Sequence, residues 1–329
     1  MLKYSSNELD QSNNMVHELL VGQVLNTIVD KTPNFTYMYA GFMCSMPFRN
    51  DFKNELCKNN TSADINVCIV MELVKDAKDL HQLFTQSTLP EGILAQLLLQ
   101  IMCSLAIAYD ACQFVHGDLH SYNILVYQLK TPITLTYTLA NGFVVRLTNC
   151  SYIAKIIDYG RSKLKADGVA FSPILYDQDD KDQFTKPQMF ENVLFLPNNY
   201  YPTFYDIVHL VGFSVKRLGT NGYTIPRPLN TLHSSFFMKI EEGSGKPTYM
   251  LANAHKLYQS ILCKRPTDKK CGYTDYADYL KELHRTFSTL KFINLSTNTR
   301  DDDVKSLDQM VKLVSAIYAK EYPAYVNVS

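Results

Sequence analysis

Two polar stretches in apolar surroundings constrain this chain more than any other feature: His116-Gly117-Asp118-Leu119-His120-Ser121-Tyr122-Asn123-Ile124-Leu125, and later Ile157-Asp158-Tyr159-Gly160. Val115 and Ile124-Leu125-Val126 flank the first with short apolar anchors, and Ala154-Lys155-Ile156-Ile157 is a strand-like run ending at Asp158. Loops held by buried strands are a common place for reactive side chains. Gly160 follows at once and is expected to supply the backbone freedom of a turn.

Asp118, Asn123 and Asp158 are the residue types that moving a terminal phosphoryl group requires. That chemistry needs cations to offset phosphate charge and a polar group to orient the attacking hydroxyl, with little covalent work left for the protein. Magnesium prefers oxygen ligands and keeps several waters, so one or two side chains plus phosphate oxygens suffice. Asp158 and Asn123 suit the metal. Asp118, five residues before Asn123 on one short loop, can face the hydroxyl.

At these residues the chain resembles the protein-kinase-like superfamily, whose catalytic loop reads H-R-D-x-x-x-x-N and whose metal loop reads D-F-G. Gly117 stands where Arg is usual, His120 where a Lys is typical, and Tyr159 where Phe is usual. The variant is most similar to the atypical Ser/Thr protein kinases of large DNA viruses; over the first motif alone it is similar to aminoglycoside and choline phosphotransferases. The resemblance implies ATP and Mg2+ as cofactors, Asp118 as the positioning base, Asn123 and Asp158 as metal ligands, and His116 as a structural residue holding the metal loop. His120 is the candidate hydrogen-bond donor to the γ-phosphate, with a proton affinity that a nearby dianion would raise.

Asn123 and Asp158 are 35 residues apart. The intervening chain holds two β-rich runs around Asn141-Gly142, a strong hairpin signal because both turn positions tolerate positive φ. An ordered β-hairpin insertion near 131–150 is expected, which fits the viral kinase resemblance and not the small-molecule enzymes.

Upstream, apolar residues at Met15, Leu19, Val24, Leu25, Ile28 and Val29 have helical spacing, with Glu18 among them. In the resembled fold a Glu on this helix pairs with a Lys that touches the ATP phosphates, and Lys3 has the right spacing. A loose terminal Lys and a solvated Glu are the alternative. The family normally carries a Gly-rich loop before this Lys, which this sequence begins too late to contain, and no G-x-G-x-x-G occurs anywhere in it. Phe35 to Phe42 and Val67 to Val74 read as strands; the second resembles the strand leading to the interlobe hinge, which makes Glu72 to Val74 candidates for adenine hydrogen bonds.

Leu80 to Phe84 suggests a short helix. Pro90-Glu91 suits the start of a long apolar helix reaching about Cys112, with Gln and Ser interruptions that argue for a buried helix over a membrane span. Tyr205 to Gly212 resembles a helix whose Asp206 hydrogen-bonds the catalytic-loop backbone. The remainder reads as mostly helical, ending in a helix faced by Leu307, Met310, Val311, Val314, Ile317 and Tyr318. Gly243 to Lys246 lacks the features of a P-loop, no A-P-E triplet follows Gly160, and Arg265-Pro266-Thr267 echoes a late kinase motif.

Lys and Arg number 32 against 32 Asp and Glu, so no basic footprint points to nucleic acid. The eight Cys show no C-x-x-C pair or zinc spacing and, with no signal segment, suggest free thiols in a reducing compartment. The expectation is an α+β, protein-kinase-like two-lobed fold: a reduced N-terminal β lobe over 1–74 and a mainly helical C-terminal lobe over 75–329. Its expected action is ATP- and magnesium-dependent transfer to a protein Ser/Thr hydroxyl, with no membrane partner, in the cytoplasm of a host cell or in a virion. The alternatives are a catalytically inactive pseudokinase scaffold and a small-molecule phosphotransferase.

Overall fold

The computed structural model describes residues 2–4, 9–44, 66–86, 89–171, 188–190, 193–195, 205–241, 247–251 and 307–329. It is a mixed α/β structure with antiparallel sheets. The polar stretch at 58–62, the Gly243–Lys246 loop, the Arg265–Thr267 echo, Asp301 to Asp303 and most of the segment after Phe171 lie outside the described residues.

The first sheet has the order β1-β3-β2, from β1 (Leu2–Tyr4), β2 (Met38–Cys44) and β3 (Asn66–Met71). Lys3 lies opposite Ile69, so β3 fixes the height of Lys3 along the sheet. Helix α1 (Leu9–Asn26) packs on β2 through a close approach: a Cβ on Gly22 would collide with Met38, and one on Gly41 with Leu19. The helix begins earlier than the apolar spacing predicts, because its first turn and a half, Leu9 to Asn14, is mostly polar and shows no apolar period.

After β4 (Lys78–Asp79) and α2 (Leu80–Gln86), helix α3 (Glu91–Cys112) runs through the core. It is long and apolar enough to cross a membrane by composition, yet nearly all of it is buried within the protein. Its polar interruptions are the reason it belongs there. Gln96, Gln100 and Ser104, spaced four apart, form one stripe facing the hairpin. Gln96 Nε2 donates to Thr148 O and Tyr325 O at 2.6 and 2.9 Å; Gln100 Nε2 donates to Tyr152 O at 2.9 Å, and its Oε1 accepts from Ala154 N at 2.9 Å. Asn34 joins them, donating to Gln100 Oε1 and Ala154 O while its Oδ1 accepts from Ser104 and Tyr137. These bonds satisfy groups of β6 beyond Leu147, where β13 no longer pairs with it.

That hairpin is the largest sheet element. Strands β5 (Ile124–Thr138) and β6 (Val144–Ile156) pair from Ile124↔Ile156 out to Thr138↔Val144, and Gly142 in the turn has φ +80°. The ordered pairing begins directly after Asn123 and therefore extends well below the expected 131–150. With β4 and β13 (Val326–Val328) it makes a sheet of order β13-β6-β5-β4.

Two short hairpins follow, β7 (Leu164–Ala166) with β8 (Val169–Phe171) and β9 (Gln188–Phe190) with β10 (Val193–Phe195). Next come α4 (Tyr205–Thr220) and α5 (Arg227–Phe236), and later α6 (Leu307–Glu321). The expectation of a mostly helical remainder is corrected at β11 (Phe237–Glu241) and β12 (Pro247–Leu251), which pair antiparallel on either side of the Gly-rich loop at 243–246. A loop rich in Gly and Pro separates two runs with strand-forming residues, a hairpin pattern that the helical reading overlooked.

Candidate active site

The loop from His116 to Asn123 is hung from three directions. Asp206, buried at the start of α4, accepts the His116 N–H at 2.7 Å and the Gly117 N–H at 2.9 Å. Burial raises its pKa, opposed by His116 and those two N–H groups, and the two bonds meet the need of a buried carboxylate for donors. Gly117 has φ +79°, a left-handed conformation that Arg, usual here in the resembled family, would adopt only under strain. His116 carries its proton on Nε2, which donates to Ile157 O at 2.9 Å, while Nδ1 accepts the Asp118 N–H at 3.3 Å. This one ring therefore ties the loop from His116 to Asn123 to the residue before Asp158.

Asn123 completes the loop. Its backbone N–H bonds His120 O, its carbonyl accepts from Ile157 N, and its Nδ2 donates to Asp118 O at 3.0 Å. With the amide nitrogen so committed, Oδ1 is the end left to act as a hard oxygen ligand. Asp158 is itself the left-handed residue of the metal loop, with φ +67°, a conformation that Asp tolerates better than most side chains. Gly160 lies in the turn expected of it but without a positive φ, so the left-handed position of this segment falls to Asp158.

Lys3 joins the site from β1. Its ammonium donates to Glu18 at 2.7 and 3.0 Å and to Asp158 Oδ1 at 3.0 Å. Burial lowers the Lys3 pKa, but the charges of Glu18 and Asp158 outweigh it and the net direction is upward. At Asp158 burial pushes the carboxyl up and the Lys3 ammonium brings it below its ordinary value; at the nearly enclosed Glu18 burial wins and the pKa rises.

Asp118 is likewise raised by burial, countered chiefly by Arg161, whose Nε lies 3.8 Å from Oδ2. His120 stacks on Phe213, with ring centroids 5.0 Å apart at 25°. Burial lowers its pKa in spite of the Asp118 carboxylate.

At the end of β3, the Glu72 N–H bonds Tyr37 O at 2.8 Å and its carboxylate pairs with the buried Lys155 at 2.9 Å. That N–H is therefore already engaged and is not available to adenine. Val74 lies two residues on, half-buried in irregular chain.

Sequence reasoning passed over several residues that shape the site. Lys155 had a signal: a cation in the apolar run before Asp158 must find a partner. His17, beside Glu18, donates through Nε2 to Ser162 O at 2.7 Å, and Ser162 Oγ donates to His116 O at 3.1 Å. The Tyr159 hydroxyl donates to Ile156 O at 2.8 Å and accepts the Thr36 N–H at 2.9 Å. His209 Nδ1 donates to Leu119 O at 2.8 Å. Nothing in local spacing reveals the last three.

Strand β3, the buried helix α3 and the loop from His116 to Asn123 follow in this order, and residues 62–134 match the RIO domain, an atypical protein kinase family. That match takes in under a quarter of the chain, including His116 to Asn123 but neither Lys3, Glu18 nor Asp158. The chain is similar to uncharacterized protein 179R of Invertebrate iridescent virus 6, at 40% identity over 67 residues, 20% of this chain and 6% of that protein. It is also similar to uncharacterized protein 035R of Invertebrate iridescent virus 3, at 25% identity over 162 residues, 45% of this chain and 14% of that protein. The aligned stretches are thus a small part of both relatives.

Proposed function

We propose that this chain is a phosphotransferase, moving the terminal phosphoryl group of ATP to a Ser or Thr hydroxyl of a protein. The observation that carries the reading is the Lys3 ammonium bridging Glu18 and Asp158 at 2.7 and 3.0 Å, which brings β1, α1 and the metal loop to one point beside Asp118. A cation so placed is one rotation from phosphate oxygens.

Among the described residues no three His, Cys, Asp or Glu side chains gather as a ready cation cage. Magnesium does not require one: the Asp158 carboxylate, half-exposed, and Asn123 Oδ1 are hard donors that fit an ion completed by phosphate oxygens and water. When bound there it would neutralise phosphate charge. Adenine would lie against the chain around Val74, and Lys3 would turn toward the phosphates with Glu18 as its anchor. Asp118 accepts the proton of the acceptor hydroxyl as its oxygen bonds to phosphorus; the bridging oxygen leaves with its electron pair on ADP. In this reading the chain divides near residue 74 into a small β lobe and a larger helical one, and it acts in a host cell infected by a large DNA virus.

Transfer of label from γ-labelled ATP with magnesium, offered to a protein acceptor and to small alcohols, tests the reading. Labelled protein, lost in Asp118→Asn, supports it. Label on alcohols alone would make the chain a small-molecule enzyme, and none on either would make it a scaffold.

A further inference from the structure

We infer that Arg161 meets the transferred phosphoryl group, contacting its oxygens from the Asp118 side of the site while Lys3 serves the Asp158 side. This rests on the phosphoryl-transfer reading above and assigns that reaction a further residue. A phosphoryl group in transfer spreads charge over three oxygens, and a fixed cation aimed at them is among the strongest catalytic devices available.

Two cation-forming groups stand beside Asp118 with the reach to do this, His120 and Arg161. The His120 ring is occupied by packing. It lies on Phe213, meets Tyr122 edge-on at 5.9 Å, and buries an Nδ1 without a hydrogen-bond partner. Swinging it toward a phosphate would break that stack. The Arg161 side chain is 53% exposed, and its Nε stands 3.8 Å from Asp118 Oδ2, too far for a tight bond and near enough to share a ligand. A guanidinium stays charged at any working pH and offers a fork of donors suited to phosphate.

The backbone around Arg161 is held while its side chain projects. Ser162 is fully buried, with its N–H on Tyr159 O, its carbonyl taking the His17 Nε2–H and its hydroxyl on His116 O. Lys163 then exchanges both backbone bonds with Val115 at 2.9 Å, and the charge of Lys163 acts on Asp206. Arg161 is thus anchored by the same bonds that fix the catalytic loop, three residues beyond Asp158. The two carboxylates of the site thus face different cations, Asp158 the Lys3 ammonium that it shares with Glu18, and Asp118 the Arg161 guanidinium.

The test compares the full chain with Arg161→Gln, Arg161→Lys and His120→Gln. Two readouts are used: steady-state transfer from ATP to dephosphorylated casein, and calorimetric binding of ATP and of ADP without divalent metal. Arg161→Gln is expected to lower kcat about 100-fold with KM for ATP changed less than about threefold, and Arg161→Lys to keep about a tenth of the rate. The preference for ATP over ADP should shrink several-fold in Arg161→Gln. Wild-type rate and preference in Arg161→Gln, or a comparable loss in His120→Gln alone, would overturn the inference and leave the phosphotransferase reading standing. If Arg161→Gln fails to fold, Arg161→Lys decides, and a wild-type rate there overturns the inference. A wild-type chain that neither binds ATP nor transfers label removes both.

Discussion

The backbone N–H of Thr36 donates to the hydroxyl of Tyr159 at 2.9 Å, in a place sealed from solvent on both sides. The same hydroxyl donates to Ile156 O, and the ring contacts Phe35, Phe114 and His116. A phenyl ring would fill this space equally well, so the hydroxyl adds a tie between the metal loop and the chain entering β2. Tyr159→Phe should leave the Thr36 N–H with only its longer bond to Ile156 O, at 3.2 Å, and lower stability by about 1 kcal/mol. Urea unfolding gives the loss, and faster hydrogen exchange at Thr36 locates it.

Lys155 and Glu72 join β6 to the end of β3 through a bond of 2.9 Å, with Lys155 almost wholly enclosed and Glu72 about a quarter exposed. Removing the cation alone strands a carboxylate near the interior, and Lys155→Met should cost about 2–3 kcal/mol. Glu72→Gln keeps an acceptor for the Tyr37 N–H and should cost less. The double variant should be more stable than the sum of the two losses by about 1 kcal/mol, measured as a coupling in denaturant titrations.

His17 is expected to position the site from one residue away. Its bond to Ser162 O links the helix bearing Glu18 to the segment after Asp158. His17→Leu should lower kcat about tenfold, because small displacements of reacting groups are costly, with KM for ATP nearly unchanged. His17→Gln retains an N–H donor and should recover most of the rate. Equal losses in both variants would reduce His17 to a packing residue.

Acid should destabilise the fold through His209. Burial pulls its pKa down to about 3, against an ordinary value near 6.5. A depressed folded pKa means the unfolded chain takes up the proton first, so the contribution is complete above about pH 6.5 and shrinks as pH falls toward 3. At about pH 5 this one ring should cost roughly 2 kcal/mol relative to about pH 8. His209→Gln keeps a donor for Leu119 O and removes the titration, so its stability should fall less steeply over that interval in urea titrations at each pH.

The catalytic loop was the easiest part of the site to read because it is local: Asp118 and Asn123 are five residues apart, and the bond from Asn123 to Asp118 O closes within that span. Helix α3 and the turn at Asn141-Gly142 were legible for the same reason, an apolar run in one case and a Gly at positive φ in the other, although Asn141 does not share that conformation and the loop between Thr138 and Val144 is five residues long. The Lys3 to Glu18 pairing was legible only through a resemblance that supplied its spacing. The approach of Arg161 to Asp118, the Lys155 pair and the Tyr159 hydroxyl depend on where distant strands come to rest, and no local period encodes that. Gly160 marked the turn that is found there, while the left-handed conformation of Asp158 had no local signal.

Ile124 sits opposite Ile156 at the root of the long hairpin, one residue after Asn123 and two before Asp158. The spacing of those two side chains is therefore a matter of cross-strand alignment at a single rung, independent of how many residues lie beyond it. A recognition loop could be grafted onto the exposed tip at Asn141-Gly142 without moving Asn123 against Asp158, whereas the strands beneath the tip are fixed, since Tyr137, Val145 and Leu147 are core residues and β13 pairs along Val145 to Leu147.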